Sequence, residues 1–486
     1  VILFLRRAAA SGLTLPANAG ASDFVSQRIA IFGGSFNPPG CHHRLIVERL
    51  AKDFDKVLIV PCGPRPDKAT TQDIETVYRA ALVDLAFREL PKVEIDNSDL
   101  EHAIFTRTHE LQARYEAQGE LWHVIGADLA VGGGKGESFI HRVWQEGPRL
   151  WEELNFIVVK RPGYDLAPED LPPRRVVIEQ AATGSSTEIR ENLFRRRDVH
   201  ETVDANVLQY IERYGLYRGR IPNRTTRWCP AEPRAFLFAD ERNARARGWK
   251  EHFRAFEVAE KPNCVIVLGG DGTMLRAIRK FSGLRVPFLG LNAGHLGFLL
   301  NNSDAVLENP FPPKEMVLRQ LPLLLVELFD ESSRYAKEYA FNDAWIERST
   351  SQTAWLELSV SGRIRIPKLA CDGALLATPS GSTAYAMAMG ASPLLADTQG
   401  WLVVGSNVMS PPGWKSALLA PESTIELRNL DRAKRPVHAL VDGRMLGRVD
   451  DFRVRLSRTM TVELGFLPTH DIAEKIADVQ FPPVPL

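Results

Sequence analysis

Two glycine turns on this 486-residue chain hold residue types that handle phosphate. The first runs Gly33-Gly34-Ser35-Phe36-Asn37-Pro38-Pro39 and is followed by His42 and His43. A strand ending in Gly-Gly-Ser leaves backbone N–H groups open to an anion, and the next helix adds its positive N-terminal end. Imidazoles just beyond can donate to phosphate oxygens where charge builds up in a transition state. Displacing pyrophosphate from ATP needs little more than such alignment and charge stabilisation. The second turn, Gly269-Gly270-Asp271-Gly272-Thr273, directly follows the apolar run Cys264–Leu268. Its glycines let a backbone approach phosphates closely. Asp271 is the one acid in it, placed either to take a proton from an attacking hydroxyl or to hold Mg²⁺ near a transferred phosphoryl group.

The elements that must position these turns can be read from pattern. Residues 28–32 form a short buried strand, and a helix follows from about His42 to Asp53. Lys56–Pro61, Leu121–Ile125 and Phe156–Val159 read as further strands, with helical patterns such as Glu75–Glu89 between them. This alternation argues for a parallel, doubly wound α/β sheet of Rossmann type, closed by a helix over Val207–Tyr217. Residues 219–233 carry three prolines and no apolar periodicity, the best linker candidate. The pattern then restarts: strand Ala235–Phe238, helix Asn243–Phe253, strand Cys264–Leu268, helix Met274–Phe281. From about 321 short alternating runs dominate (Leu321–Phe329, Ala354–Val360, Thr424–Leu427, Phe452–Leu456, Met460–Leu464), the texture of an antiparallel β unit. Trp345 and Trp355 are expected in its core. The expected division is a disordered lead over 1–26 (from a misplaced start), a doubly wound domain over 27–219, a linker over 220–233, and a second unit over 234–486. Within that last unit the α/β part covers about 234–300 and the β-rich part about 315–465. The linker predicts that a fragment beginning near residue 230 folds alone.

Composition limits the partners. Lys plus Arg and Asp plus Glu each number 60, so no basic excess advertises nucleic-acid binding. Arg195-Arg196-Arg197 reads as a solvated helix face. Hydrophobic residues at 44% and charged residues at 25% fit a globular chain with real cores. Five cysteines lie far apart with no CxxC, which signals neither a disulfide framework nor a zinc site and suits reduced thiols in the cytoplasm. No apolar run approaches the roughly 18 residues that span a bilayer. The glycine-rich tract Val131–Ser138 is not a P-loop, because Leu129 and Gly136 stand where that motif needs a glycine and a hydroxyl residue. It reads as a flexible surface insertion.

The first turn resembles the GG(S/T)F(N/D)PxHxGH motif of the bacterial nicotinate-nucleotide adenylyltransferase family. Further pieces match in order: the proline-rich loop Pro61 to Lys68, the helix arginine Arg79, Thr106 and Thr108, the turn Gly126-Ala127-Asp128, and Ser185-Ser186-Thr187-Glu188-Ile189-Arg190. Tyr210 to Tyr217 matches the family's closing segment, so the resemblance covers roughly 28–218. It implies that Gly33, Gly34, Ser35, His42, Ser185, Ser186, Thr187 and Arg190 bind ATP phosphates and that His43 is catalytic. It also implies that Lys68, Arg79, Thr106 and Asp128 bind the mononucleotide. The sequence departs at Gly40, which replaces the motif's first histidine, while His42 replaces its glycine. Neighbouring helix positions point about 100° apart, so His42 and His43 cannot both take the usual places without backbone change. Two readings stay open: a working adenylyltransferase, or a degenerate nucleotide-sensing domain that keeps the fold and Arg190.

The second turn alone would also suit lipid kinases and phosphofructokinases. The segments C-terminal to it resemble those of NAD kinases: Asn292-Ala293-Gly294-His295-Leu296-Gly297-Phe298-Leu299, then Asn342-Asp343, Asp372-Gly373, Thr378-Pro379-Ser380-Gly381-Ser382-Thr383-Ala384-Tyr385, and Asp442-Gly443-Arg444. The resemblance covers roughly 234–465. It implies that Asp271 accepts the proton of the NAD 2′-hydroxyl and that Gly269 and Gly270 hold phosphates. Gly272, Thr273, Asn342, Asp343, Asp372, Thr383, Ala384, Tyr385, Met387, Ala388 and Arg444 would contact NAD. ATP, NAD and a divalent metal (Mg) are implied, with no residue assigned to the metal, and so is a homo-oligomer formed through this half. The combined expectation is a cytoplasmic bifunctional enzyme of NAD(P) biosynthesis acting on small nucleotides.

Overall fold

The computed structural model describes residues 27–66, 68–160, 166–179, 184–228, 232–294, 297–302, 311, 313, 315–330 and 335–481. The expected disordered lead over 1–26 and His295 lie outside the described residues.

The first half is built on strands β1 (Arg28–Gly34), β2 (Lys56–Pro61), β3 (Val93–Ile95), β4 (Glu120–Gly126), β5 (Asn155–Lys160) and β6 (Arg175–Glu179). They form one sheet in the order β3-β2-β1-β4-β5-β6, every pair parallel. The order reverses between β1 and β4, and in open α/β sheets ligands bind beyond the strand ends at that point. Helices α1 (Cys41–Asp53), α2 (Thr76–Phe87), α3 (Ser98–His102), α4 (Thr108–Tyr115), α5 (Phe139–Val143), α6 (Gly147–Glu153), α7 (Ser186–Phe194) and α8 (Ala205–Tyr214) accompany the sheet. In α1 the residues Ile46, Val47, Leu50 and Ala51 recur at helical spacing and are buried against the sheet. The tract 131–138 lies at the surface, with Val131 and Gly134 to Glu137 exposed, and is tied down at two points. Gly133 is buried against Trp151, and the Ser138 hydroxyl caps α5 by accepting from the His141 amide at 3.3 Å.

The stretch 220–233 is not wholly a linker. Thr225–Trp228 form strand β7, which pairs antiparallel with β12 (Met316–Phe329) of the second half. That half continues through β8 (Ala235–Ala239), α9 (Ala244–Phe253), β9 (Cys264–Gly269), α10 (Asp271–Phe281), β10 (Phe288–Asn292) and β11 (Asn301–Asn302). After β12 come β13 (Tyr335–Ala340), β14 (Asp343–Arg348), β15 (Ala354–Val360), β16 (Arg363–Cys371), β17 (Gly373–Ala377), α11 (Tyr385–Ala388), β18 (Trp401–Ser406), β19 (Ser416–Leu419), β20 (Thr424–Asn429), β21 (Val437–Val441), β22 (Arg444–Val449), β23 (Asp451–Phe466) and α12 (Ile472–Gln480). Strands β8, β9 and β10 are parallel, and β23 joins them to antiparallel β12 and β20 in one large sheet. A second sheet, β19-β18-β17-β14-β21-β22, is antiparallel throughout. Leu324, Val326, Leu356, Ala374, Val403 and Phe452 belong to the core between the two sheets. Trp345 is buried as expected, whereas Trp355 lies at the edge of this unit, only half-buried, with the Lys368 ammonium 3.4 Å and the Arg435 guanidinium 3.8 Å from its ring centre.

Strand β23 also corrects the expectation of two separate runs at 452–456 and 460–464. The polar residues between them are no turn. Pairing with β12 is interrupted there, resuming from Pro322 to Leu324 on the partner strand, and the freed residues meet the first half. Glu101 of α3, fully buried, accepts from the Ser457 hydroxyl at 2.7 Å, from the Arg458 amide at 2.9 Å and from the Arg455 guanidinium at 2.8 Å, and it also accepts from the Thr459 hydroxyl. Beside it, Asp84 of α2 pairs with Arg285 at 2.7 Å and Arg213 of α8 pairs with Glu463 at 2.6 Å, all four side chains buried or nearly so. Such charges are costly to bury unless paired, so these contacts fix one docking of the two halves.

Candidate functional sites

The first site lies where β1 and β4 end. Gly33 and Gly34 close β1, and the turn Ser35–Pro39 leads into α1. Ser185–Arg190 docks on that turn: Ser186 Oγ donates to Pro38 O at 2.8 Å and Arg190 Nη1 to Asn37 O at 2.6 Å. Arg190 Nη2 donates to the Thr187 hydroxyl at 3.2 Å, and Ser185 caps α7 by accepting from the Glu188 amide at 3.1 Å. Lys68 Nζ donates to Ser35 Oγ at 3.1 Å, which brings the proline-rich loop over the same turn.

The histidines converge although they are neighbours on a helix. The His43 ring folds back so that Nδ1 accepts from the Gly40 amide at 3.1 Å, capping α1. With Nδ1 accepting, a neutral His43 carries its proton on Nε2. His42 is buried, its ring centre 3.9 Å from that of His43. A β-carbon on Gly40 would lie 2.7 Å from His42 Nδ1, too close for any real contact. The imidazole of His42, together with Ile189 Cδ1 at 2.8 Å, therefore occupies the space that a side chain at position 40 would need.

Arg79 does not stand where a mononucleotide contact was expected. It is fully buried, its Nη2 donating to Ser35 O and Cys62 O at 2.7 Å each and its Nη1 to Thr71 O at 3.0 Å. Carbonyls turned inward after β1 and β2 need donors, and a guanidinium supplies several from one point. Next to these loops lies a cavity of about 490 Å³, lined by Gly33, Gly34, Cys62, Phe105, Thr106 and Trp144 among others. Thr106 is committed on both sides: its hydroxyl donates to Asp99 at 2.6 Å and accepts from Arg114 at 2.8 Å. Asp128 is exposed just after β4, its carboxylate lying over Gly126. His123 lines the cavity, buried and held neutral, its pKa pushed down to about 4 by desolvation. Asp99 and Trp144 belong to this pocket wall, with Arg114 behind Thr106, and all three sit in no motif, so only their position in the fold marks them.

In the second site Asp271 opens α10, directly after β9. Its two carboxylate oxygens accept from the Phe298 and Leu299 amides, each at 3.0 Å. Burial raises its pKa above the ordinary carboxylate range, against the opposing pull of those amides and of Lys475. The Thr273 hydroxyl packs over Gly269 and accepts from Arg276 at 3.0 Å. Asp442 organises the Asn342-Asp343 turn: its carboxylate accepts from the Phe341, Asn342 and Asp343 amides at 2.9, 2.8 and 3.3 Å. Arg279 of α10 donates to Asp442 O at 2.9 Å, tying the helix that carries Asp271 to that turn. Asn342 is buried, with its side-chain oxygen lacking a hydrogen-bond partner. Asp343 has its pKa pushed up to about 7, by burial first and then by the Asp442 carboxylate.

The segment Thr378–Tyr385 lies against the same turn. Thr378 Oγ1 donates to Phe341 O at 2.7 Å, and a β-carbon on Gly381 would come 2.0 Å from Asn342 O, so only glycine allows this approach. Thr383 Oγ1 donates to Ser380 O at 3.2 Å, Ala384 and Met387 are half-buried, and Tyr385 and Ala388 are exposed. Asp372 is held by Arg348 and by Asn407, both at 2.7 Å, and Arg444 pairs with Glu338 at 2.7 Å. Gly270 and Gly272 have open space where a β-carbon would stand. Among the described residues no group of three or more His, Cys, Asp or Glu could hold a metal ion, and no helix is long and apolar enough to cross a membrane.

Residues 31–192 match the family model described as Cytidylyltransferase-like, and residues 187–306 match ATP-NAD kinase N-terminal domain. An NAD kinase of Rickettsia felis is 33% identical over 224 residues, covering 46% of this chain and 87% of that protein. One of Cereibacter sphaeroides is 34% identical over 221 residues (45% and 85%), and one of Zymomonas mobilis subsp. mobilis 34% over 227 residues (46% and 86%). A yeast NADH kinase complexed with NADH aligns with a TM-score of 0.41 at 16% identity, over 75% of this chain and 89% of that one. Through its C-terminal half the chain belongs to the NAD kinase family, with a cytidylyltransferase-like domain fused ahead of it.

Proposed function

We propose that this chain is a bifunctional enzyme of NAD(P) biosynthesis, transferring AMP from ATP to a pyridine mononucleotide in residues 27–219 and phosphorylating the 2′-hydroxyl of NAD with ATP in residues 234–486. The observation that carries the kinase reading is Asp271: a lone carboxylate at a helix start, held by two amides and buried so that its affinity for a proton rises. In the transfer, Asp271 takes the hydroxyl proton as that oxygen bonds to the γ-phosphorus, and the bond to the bridging oxygen breaks to release ADP. The glycine turn Gly269–Gly272 supplies amides to phosphate, and Asn342 Oδ1 offers its unused acceptor to a donor group of the dinucleotide.

In the first half, Gly33, Gly34, Ser35, His42, His43 and the Ser185–Arg190 segment receive the ATP phosphates, and the neighbouring cavity receives the mononucleotide. Arg79 shapes the phosphate turn from beneath rather than touching substrate. Mg²⁺ would enter with the nucleotide phosphates, since that ion is usually held by substrate phosphates and few protein groups. The enzyme works in the cytoplasm, as a homo-oligomer through its kinase half. Two assays on the full chain with Mg-ATP test the reading: NADP formation from NAD, and pyrophosphate release with nicotinate or nicotinamide mononucleotide. Absence of NADP overturns the kinase assignment. Absence of pyrophosphate with either mononucleotide overturns the adenylyltransferase assignment and leaves a nucleotide-sensing domain.

A further inference from the structure

The segment Gly297–Leu300 is held from two sides. From one side its Phe298 and Leu299 amides donate to the Asp271 carboxylate. From the other, its flanking carbonyls, Gly297 O and Leu300 O, accept from one ammonium, Lys475 Nζ, at 2.7 and 3.2 Å. Lys475 lies on α12, whose start is set by Asp471 accepting from the Ala473 and Glu474 amides at 2.8 and 3.1 Å. The same C-terminal stretch grips the base of the segment. Asn301 Nδ2 donates to Gly290 O and Gly465 O at 3.0 and 2.9 Å, while its oxygen accepts from the Leu467 amide at 2.8 Å.

We propose that Lys475 is a positioning residue for Asp271, its ammonium bridging Gly297 and Leu300 so that the two amides between them face the carboxylate. A lysine bridges two carbonyls because it carries three donors and no acceptor. Burying part of an ammonium is costly without such partners. Without that ammonium the Gly297–Leu300 backbone loses its outer support, and Asp271 loses the two bonds that orient it. The inference rests on Asp271 being the proton acceptor. A displacement of about 1 Å at a reacting group can lower a rate roughly 10²-fold.

The test compares Lys475→Met, Lys475→Arg and Asp271→Asn in the full chain, with steady-state NAD kinase kinetics, thermal melting and amide hydrogen exchange. Lys475→Met keeps the apolar stem and removes the donors. It is expected to lower kcat about 10- to 100-fold while KM for NAD stays within about twofold. Lys475→Arg, which restores donors, is expected to recover most of that loss. The Phe298 and Leu299 amides are expected to exchange faster in the methionine variant. A Lys475→Met enzyme with wild-type kcat and unchanged protection of those amides overturns the inference, as does an arginine variant no better than methionine. If the methionine variant melts below the assay temperature, the arginine variant decides alone: near-normal kcat supports the inference and a loss of tenfold or more overturns it. Wild-type turnover in Asp271→Asn instead removes the proton-acceptor reading itself, which separates the two failures.

Discussion

His42 fills the volume that Gly40 vacates, its Nδ1 lying 2.7 Å from where a β-carbon on residue 40 would stand. Ile189 Cδ1, 2.8 Å from the same point, shares that space. An imidazole remains beside the first turn although the motif's first histidine is missing. Both His42→Ala and His43→Ala are therefore expected to lower pyrophosphate release, each by roughly 10²-fold, the scale of losing one donor to developing charge. Gly40→His, which restores the motif residue, should clash with His42 and with Ile189 and lower activity, and adding His42→Gly should relieve part of that loss. Kinetics of the single and double variants check this. A Gly40→His single variant as active as wild type would show that His42 does not hold the place.

Asp271→Asn keeps the shape of the carboxylate and removes the proton acceptor. It is expected to lower NAD kinase turnover about 10²–10⁴-fold while NAD still binds, since acid–base help is of that size. Turnover measured beside NAD binding by calorimetry separates the two effects. Turnover near wild type would remove the assigned role.

Asp343 ties kinase stability to pH. Its ordinary value of 3.8 is pushed up to about 7 by burial and by Asp442. Between those values the folded state binds a proton that the unfolded state releases. The associated stability is fully present below about pH 4 and is lost as pH rises through 7. Asp343→Asn is expected to flatten that decline and to stabilise the protein at pH 8, by at most about 4 kcal/mol. Denaturant titrations of both proteins at pH 5 and pH 8 measure it. An equal difference at both values would exclude titration of Asp343 as the cause.

Sequence pattern carried the sheet and the two turns well, because apolar runs such as Cys264–Leu268 must be buried and glycine-ended strands must open to anions. It carried the charged interior poorly. Arg79 sits in the place that family resemblance gives a helix arginine, yet its donors go to inward carbonyls. Ser457-Arg458-Thr459 look like a break between strands because polar residues usually face water, whereas the Ser457 and Thr459 hydroxyls and the Arg458 amide face Glu101, with only the Arg458 side chain left exposed. Lys475 had no motif to mark it. Its partners are backbone carbonyls, which any residue possesses, so its importance arises only from folding.

The contact between Asp84 and Arg285 argues against an independent kinase half. The pair is buried at 2.7 Å, and Arg285 also donates to Thr459 O at 3.0 Å. A fragment beginning near residue 230 would lose Asp84, Glu101 and Arg213, leaving Arg285, Arg455 and Glu463 without the charges that face them. It would also lose β7, which pairs with β12 from Arg319 to Met316. That fragment is expected to be insoluble or inactive beside an active full-length chain. In the intact protein, Asp84→Ala leaves one buried guanidinium uncompensated, a change that typically costs about 3–5 kcal/mol. Because the pair lies between the halves, both activities are expected to fall together on heating, at one lowered transition temperature. A soluble, active fragment from 230, or an Asp84→Ala protein whose two activities melt apart with the kinase transition unmoved, would show that the halves are only tethered.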